Sequence, residues 1–157
     1  MVTLNAADTI AASIQSFLDQ DYPNAELIVQ DGESTDATCA VVRGFGSDKI
    51  NLVSAPDAGL YDALNTGIRR ARGEVIGLLH SNDRFASPTI LSQVAALFAD
   101  PVLEAAYADV SFFEAGDEAR HRARVELRVR VAEDEDVAAR GLDGGVERDV
   151  LPAVLVE

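Results

Sequence analysis

Segments with strand-like and helix-like patterning take turns along residues 1–113, and this alternation restricts the fold more than any other feature. The strand candidates are Val2 to Leu4, Glu26 to Val29, Ile50 to Val53, Val75 to Leu79 and Ala105 to Phe113. Helical periodicity fills the gaps. Ile10, Ile14, Phe17 and Leu18 share one side of a helix over Asp8 to Asp19, with Asn5 or Asp8 as its cap. A second helix over Thr35 to Phe45 is opened by Ser34 or Thr35 and closed near Gly44 and Gly46. A third spans Gly59 to Arg72, with Leu60, Leu64, Gly67, Ile68 and Ala71 along one side. Ser87-Pro88 opens a fourth, whose buried side is Ile90, Leu91, Val94, Leu97 and Phe98. Val75 to Leu79 is apolar without a break, as expected of a central strand covered on both faces.

Strands and helices that alternate through short links imply an α/β fold with a mainly parallel sheet between two layers of helix. Ligands of such sheets bind outside the carboxyl ends of the strands. That rule singles out four polar segments: Asn5-Ala6, Asp31 to Asp36, Ala55-Pro56-Asp57 and His80-Ser81-Asn82-Asp83. Each alone reads as an ordinary turn or helix cap. Together, at the mouth of one sheet, they read as a site.

Charge narrows the classes of ligand. The chain carries a net −14, which argues against a sequence-independent nucleic-acid binder and against electrostatic docking on anionic lipid. An acidic protein that binds a phosphate-bearing ligand is helped by a divalent cation. Asp83 follows the most apolar segment, so a rigid element would position it to hold Mg²⁺ or Mn²⁺ while phosphate oxygens fill the remaining positions. Asp31 sits at a sharp strand-to-helix turn that Gly32 permits, where a carboxylate can accept from a base N–H or a ribose hydroxyl. No G-x-G-x-x-G follows the first strand and no G-x-x-x-x-G-K-[ST] occurs, so the dinucleotide and P-loop readings fail. A phospho-receiver domain wants a late lysine, and the single lysine, Lys49, precedes the third strand. A nucleotidyltransferase wants an early glycine- and arginine-rich loop, which is absent. Cys39 is the single cysteine, so it forms no internal disulfide and reads as a small buried helix residue.

Four blocks, in order, resemble family 2 glycosyltransferases, whose fold is GT-A: a Rossmann-like three-layer α/β/α arrangement. Thr3-Leu4-Asn5 is similar to the end of the family's first strand. Ser16 to Pro23 is similar to "S-x-L-x-Q-x-Y-P" and leads into Glu26 to Gly32 and Ser34 to Thr38. Asp57 to Ile68 is similar to "D-x-G-x-Y-D-A-x-N-x-G", and Gly73 to Asp83 to "G-[DE]-x-I-x-x-L-N-[AS]-D-D". His80 and Asn82 stand where the family usually has Asn and the first Asp, and the first strand begins only at Met1.

The resemblance implies a nucleoside-diphosphate sugar, such as a UDP-sugar, as donor. Thr3, Asn5 and Asp31 would line the nucleoside pocket. Asp57, Gly59, Asp62 and Asn65 would lie near ribose, diphosphate or donor sugar, and Asp83, with Asn82 beside it, would bind Mg²⁺ or Mn²⁺. It implies inverting displacement onto an acceptor hydroxyl, glycan or lipid-linked, assisted by a carboxylate base that these blocks do not contain. Polysaccharide biosynthesis is a frequent role of the family. The competing reading is a non-catalytic nucleotide-binding remnant or interaction module that lacks the acceptor half.

The expected organisation is a nucleotide-sugar-binding domain over residues 1–113 and an irregular tail over 114–157. In the tail, Arg120 to Arg130 alternates arginine with small or apolar residues, Glu133 to Asp136 is acidic, and Gly141 to Gly145 is glycine-rich. The sequence suggests no strand pairing there. So abrupt a change is what a fragment or a shifted reading frame would leave. No segment is long and apolar enough to span a membrane, and the N-terminus does not resemble a signal peptide. The expected location is cytoplasmic, or peripheral to the membrane. The short first strand leaves a sheet edge that could pair with another chain as an oligomer.

Overall fold

The computed structural model describes residues 1–103, 105–108 and 127–128. Three parallel strands form the sheet: β1 (Val2–Thr3), β2 (Leu27–Asp31) and β3 (Ile50–Ser54), in the order β1-β2-β3. Helices α1 (Ile10–Leu18), α2 (Thr38–Gly44), α3 (Leu60–Arg70) and α4 (Ile90–Phe98) complete this part of the chain. The fold is the expected α/β arrangement of a parallel sheet flanked by helices.

All five residues of β2 are buried, as befits the middle strand. Alternation along it divides the molecule. Leu27 and Val29 point toward α1 and α2 and join Ile10, Ile14, Phe17 and Val42 in the main core. Glu26 and Gln30 point the other way, toward the end of α3. There the Arg72 guanidinium donates to Glu26 Oε2 and its backbone N–H donates to Oε1. Those bonds hold the Glu26 carboxyl below its usual range, against the opposing effect of burial. Arg70 donates to Gln30 Oε1 at 2.9 Å and to Asn51 Oδ1 at 2.7 Å.

Polar docking accompanies light burial of the side of α3 that carries Leu60, Leu64, Gly67 and Ile68. Ala63 is its one fully buried residue, while Leu60 and Ile68 are 52% and 42% exposed. The sheet face beneath α3 carries Glu26 and Gln30 on either side of the buried Ile28, so arginine hydrogen bonds add to apolar packing there.

Two helices begin later than their sequence signals suggest. α2 starts at Thr38 rather than Thr35, because the groups that would cap it bind another loop: Thr35 N–H and Oγ1–H both donate to Asn5 Oδ1. α4 starts at Ile90, and Pro88 instead lies in a turn whose carbonyl accepts the Asp21 N–H at 2.8 Å.

The expected central strand over Val75 to Leu79 also differs. Only Val75 makes a bridge, and residues 76–79 form no ladder. Leu79 is buried in the core, but Ile76 is 41% exposed. An apolar run reports burial, whereas a ladder needs a long enough neighbouring edge, and β1 offers two residues. Farther on, β4 (Tyr107–Ala108) pairs antiparallel with β5 (Leu127–Arg128). β5 lies in the stretch where the sequence suggested no pairing; the arginine–apolar alternation of Arg120 to Arg130 has the period of a strand and was the available signal. The rest of the expected fifth strand and of the tail, Glu133 to Asp136 included, lies outside the described residues.

Candidate nucleotide-sugar site

The register of the sheet lines up three polar residues at its carboxyl end. Thr3 pairs with Asp31, and Asp31 pairs with Ser54, so one row of side chains crosses all three strands. Asp31 is fully buried within that row. Its carboxylate accepts from Ser54 Oγ at 2.6 Å, from Ser34 N–H at 3.0 Å, from Ser34 Oγ, and from the Cys39 thiol at 3.2 Å. Burial pushes the Asp31 carboxyl up, but the hydrogen bonds from Ser34, Ser54 and Cys39 outweigh it and leave the group below its usual range. Burial, together with the Asp31 carboxylate, raises the Cys39 thiol in turn. The thiol is therefore a protonated donor; Cys39 lies in α2 as expected but is half-buried rather than buried.

Asn5 joins this group through Ser34, whose Oγ accepts the Asn5 N–H at 2.7 Å. Asn5 sits at φ 50°, a left-handed conformation that asparagine tolerates better than most residues. Beyond it, Ala6 N–H donates to Thr38 Oγ1 and Ala7 N–H to Asp36 Oδ2. The loops after β1 and β2 are thus stitched side by side. Among the described residues, Thr3 Oγ1 and Ser13 Oγ are buried without a hydrogen-bond partner.

The loop after β3 closes over the same place. The Asp57 carboxylate lies directly above Gly32: a Cβ built on that glycine would fall 2.7 Å from Asp57 Oδ2. Asp57 Oδ1 accepts the Gly59 N–H at 2.8 Å, and Gly59 adopts φ 112° where the chain enters α3. Asp62, in the first turn of α3, accepts the Ala58 N–H at 3.1 Å. Asn65 lies one turn further and is exposed. Of the residues expected at the site, Thr3, Asn5, Asp31, Asp57, Gly59 and Asp62 are therefore linked through their loops.

Asn82 and Asp83 form a separate turn. Asp83 N–H donates to the His80 carbonyl at 3.1 Å, and Asp83 Oδ2 accepts the His80 N–H at 3.4 Å. Among the described residues no hydrogen bond joins this turn to the Asp31–Asp57 group, and no three His, Cys, Asp or Glu side chains gather into a metal-binding cluster. The Asp83 carboxylate is half-buried and, among the described residues, accepts that one long bond; a hard anionic oxygen is the donor type that a divalent ion such as Mg²⁺ takes.

Residues that received no role as site ligands from the sequence complete the framework. Ser34, Ser54 and Cys39 hold Asp31, and Ser16 and Gln20 hold the chain beyond Asp83. Ser54 could have been found by extending the third strand by one residue and aligning its end with Asp31.

A parallel sheet of this kind, with its helices, is the nucleotide-binding framework of GT-A glycosyltransferases. The sequence profile described as glycosyl transferase family 2 matches residues 1–143, and the chain belongs to that family. It is 37% identical over 98 residues to the UDP-Glc:alpha-D-GlcNAc-diphosphoundecaprenol beta-1,3-glucosyltransferase WfgD of Escherichia coli, covering 62% of this chain and 39% of that protein. It is 31% identical over 101 residues to a PGL/p-HBAD biosynthesis glycosyltransferase of Mycobacterium bovis, covering 62% of this chain and 40% of that one. Among solved structures, the mannosyltransferase PcManGT of Pyrobaculum calidifontis, in complex with GDP-Man and Mn²⁺, superposes with a TM-score of 0.63 at 29% identity, over 71% of this chain and 34% of that one. TarS 1-349 of S. aureus in complex with UDP-GlcNAc gives 0.57 at 27% identity, over 63% and 30% of the two chains. The chain thus spans about two fifths of the length of the curated relatives it matches.

Proposed function

We propose that this chain provides the donor-binding half of a glycosyltransferase that moves a sugar from a nucleoside diphosphate to an acceptor hydroxyl with inversion. The observation that carries the reading is the polar row Thr3–Asp31–Ser54 at the carboxyl ends of a parallel sheet, with Asp57 closing over Gly32 beside it. Three loops converge there, where α/β sheets bind ligands. PcManGT with GDP-Man and TarS with UDP-GlcNAc support a nucleotide sugar as the ligand.

In this reading Thr3, Asn5 and Asp31 form the nucleoside end. Thr3 Oγ1, buried without a partner, is a group that a bound ligand or water would satisfy. Asp31 acts as the buried acceptor that sets the shape of the loop. Asp57, Gly59, Asp62 and Asn65 face ribose, diphosphate or sugar. Asp83, with Asn82 beside it, would hold Mg²⁺ or Mn²⁺, since one carboxylate plus substrate phosphates is a common way to bind such ions. What the bound ion supplies is stabilisation of negative charge on the departing diphosphate. None of these residues is assigned as the general base or as the acceptor-binding surface. WfgD, whose name includes a diphosphoundecaprenol-linked sugar, supports a glycan or lipid-linked acceptor.

The test is a thermal-shift screen of UDP, GDP and their sugars with and without Mn²⁺, followed by a transfer assay. A Mn²⁺-dependent rise that Asp83→Ala removes is the expected result. No shift at millimolar ligand would sink the proposal. Binding with neither transfer nor donor hydrolysis would favour the non-catalytic module.

A further inference from the structure

We infer that Gln20 and Ser16, at the carboxyl end of α1, are positioning residues that hold the segment carrying Asp83 against the core. The inference rests on the reading of Asp83 as the metal-binding carboxylate. Before Asp83, the chain is anchored by Leu79, buried in the core. After it, anchors come from Ser16 in α1 and from Gln20 and Asp21 just beyond its end. Ser16 Oγ accepts the Phe85 N–H at 3.1 Å, two residues beyond Asp83. Ser16 Oγ–H in turn donates to the Ser13 carbonyl at 2.8 Å, so the hydroxyl is held in place to accept.

Gln20 makes the larger contribution. Its side chain is 9% exposed, and both ends of its amide are used. Nε2 donates to the Ser87 carbonyl at 2.8 Å and to the Ser16 carbonyl at 3.0 Å, while Oε1 accepts the Leu91 N–H at 3.1 Å. Next to it, Asp21 N–H donates to the Pro88 carbonyl, and Asp21 Oδ2 accepts from Ser92 Oγ. Gln20 and its neighbours therefore grip the chain at residues 85, 87, 88, 91 and 92. Among the described residues, the bonds of the Asp83 turn itself are its local ones with His80. The position of its carboxylate is thus set by the two anchored flanks. The site needs a donor pair and an acceptor in one planar group, which only a carboxamide supplies, and Asn would carry it one methylene shorter.

The experiment compares wild type with Gln20→Met, which keeps the volume but removes the amide, and with the pair Ser16→Ala and Ser16→Thr. Two readouts are needed. The first is amide hydrogen exchange on the ligand-free protein. Exchange over 83–91 should accelerate in Gln20→Met and Ser16→Ala while β2 stays protected, and Ser16→Thr should restore the wild-type pattern. The second is the Mn²⁺ concentration needed for half-maximal binding of UDP, or of GDP where that is the nucleotide wild type takes. It should rise roughly 10-fold in Gln20→Met, as when a group orienting a metal ligand is lost. Nucleotide binding without metal should be unchanged.

Faster exchange spread evenly over the whole molecule would make Gln20 a general stability residue and overturn the inference. So would an unchanged Mn²⁺ requirement in a wild-type background that does need Mn²⁺. Failure of wild type itself to show any Mn²⁺ dependence, or indifference to Asp83→Ala, would instead remove the metal reading of Asp83 and this role with it.

Discussion

The carboxylate of Asp57 occupies the space that a side chain on Gly32 would need, with Oδ2 2.7 Å from the Cβ position. The loops after β2 and β3 can approach this closely only because residue 32 has no side chain. Gly32→Ala should therefore push the Asp57 carboxylate aside and break its bond to the Gly59 N–H. The displaced atoms end a short side chain, so the loss of stability should stay near about 1 kcal/mol. Affinity for the nucleoside diphosphate should fall further, by about 10-fold, if Asp57 faces the ligand. Urea unfolding and isothermal titration of the same variant separate the two effects. An intact affinity would place Asp57 outside the site.

Asp31 should behave as a structural group in any unfolding experiment. Asp31→Ala leaves Ser54 Oγ, Ser34 and the Cys39 thiol without their shared acceptor. Ser54 is exposed and Ser34 and Cys39 are half-buried, so water can partly replace the lost acceptor, and a loss of about 1–3 kcal/mol in all is expected. Asp31→Asn keeps one acceptor oxygen and should lose less. Equal losses in the two variants, measured by urea unfolding, would contradict this account.

In the 157-residue chain with a free amine at Met1, stability should depend on pH near neutrality. Met1 nitrogen donates to the Ile28 carbonyl at 2.8 Å, extending β1 by one residue. Burial, with Arg70 adding to it, lowers this amine from its ordinary 8.0 to about 6. Folding therefore favours the uncharged amine. The stabilisation it allows is complete above about pH 8 and is lost as pH falls from 8 to 6, amounting to roughly 2 to 3 kcal/mol. Unfolding free energies at pH 6, 7 and 8 should show this slope. Acetylation of the amine should flatten it.

Glu33 lies at φ 59° in the turn after β2, where an L-residue is strained. Relief of that strain is worth about 1–2 kcal/mol, against about 0.5–1 kcal/mol for the freer unfolded chain of a glycine. Glu33→Gly should thus stabilise the protein by up to about 1 kcal/mol in thermal or urea unfolding. A destabilised variant would mean that the exposed glutamate makes a compensating interaction.

Much of this molecule was legible before any coordinates. The alternation of segments, the helix of Ile10, Ile14 and Phe17, and the polar ends of the strands depend on side-chain periodicity, which a chain displays locally. The family blocks added the expectation that Asn5, Asp31 and Asp57 serve one site, and their loops do meet. Periodicity could not say whether Val75 to Leu79 would find a strand edge to pair with. It could not show that Ser34 and Thr35 would desert the start of α2 to bind the loop of Asn5.

What the sequence by itself determined was the layered α/β plan and the family, because burial patterns and motif spacing are properties of neighbouring residues. Tertiary structure alone decided what the buried polar groups touch. Ser54 reaches Asp31 across 23 positions, and Gln20 reaches Ser87 across 67. Hydrogen bonds are short and directional, so partners so remote in the chain are chosen only once the layers have packed.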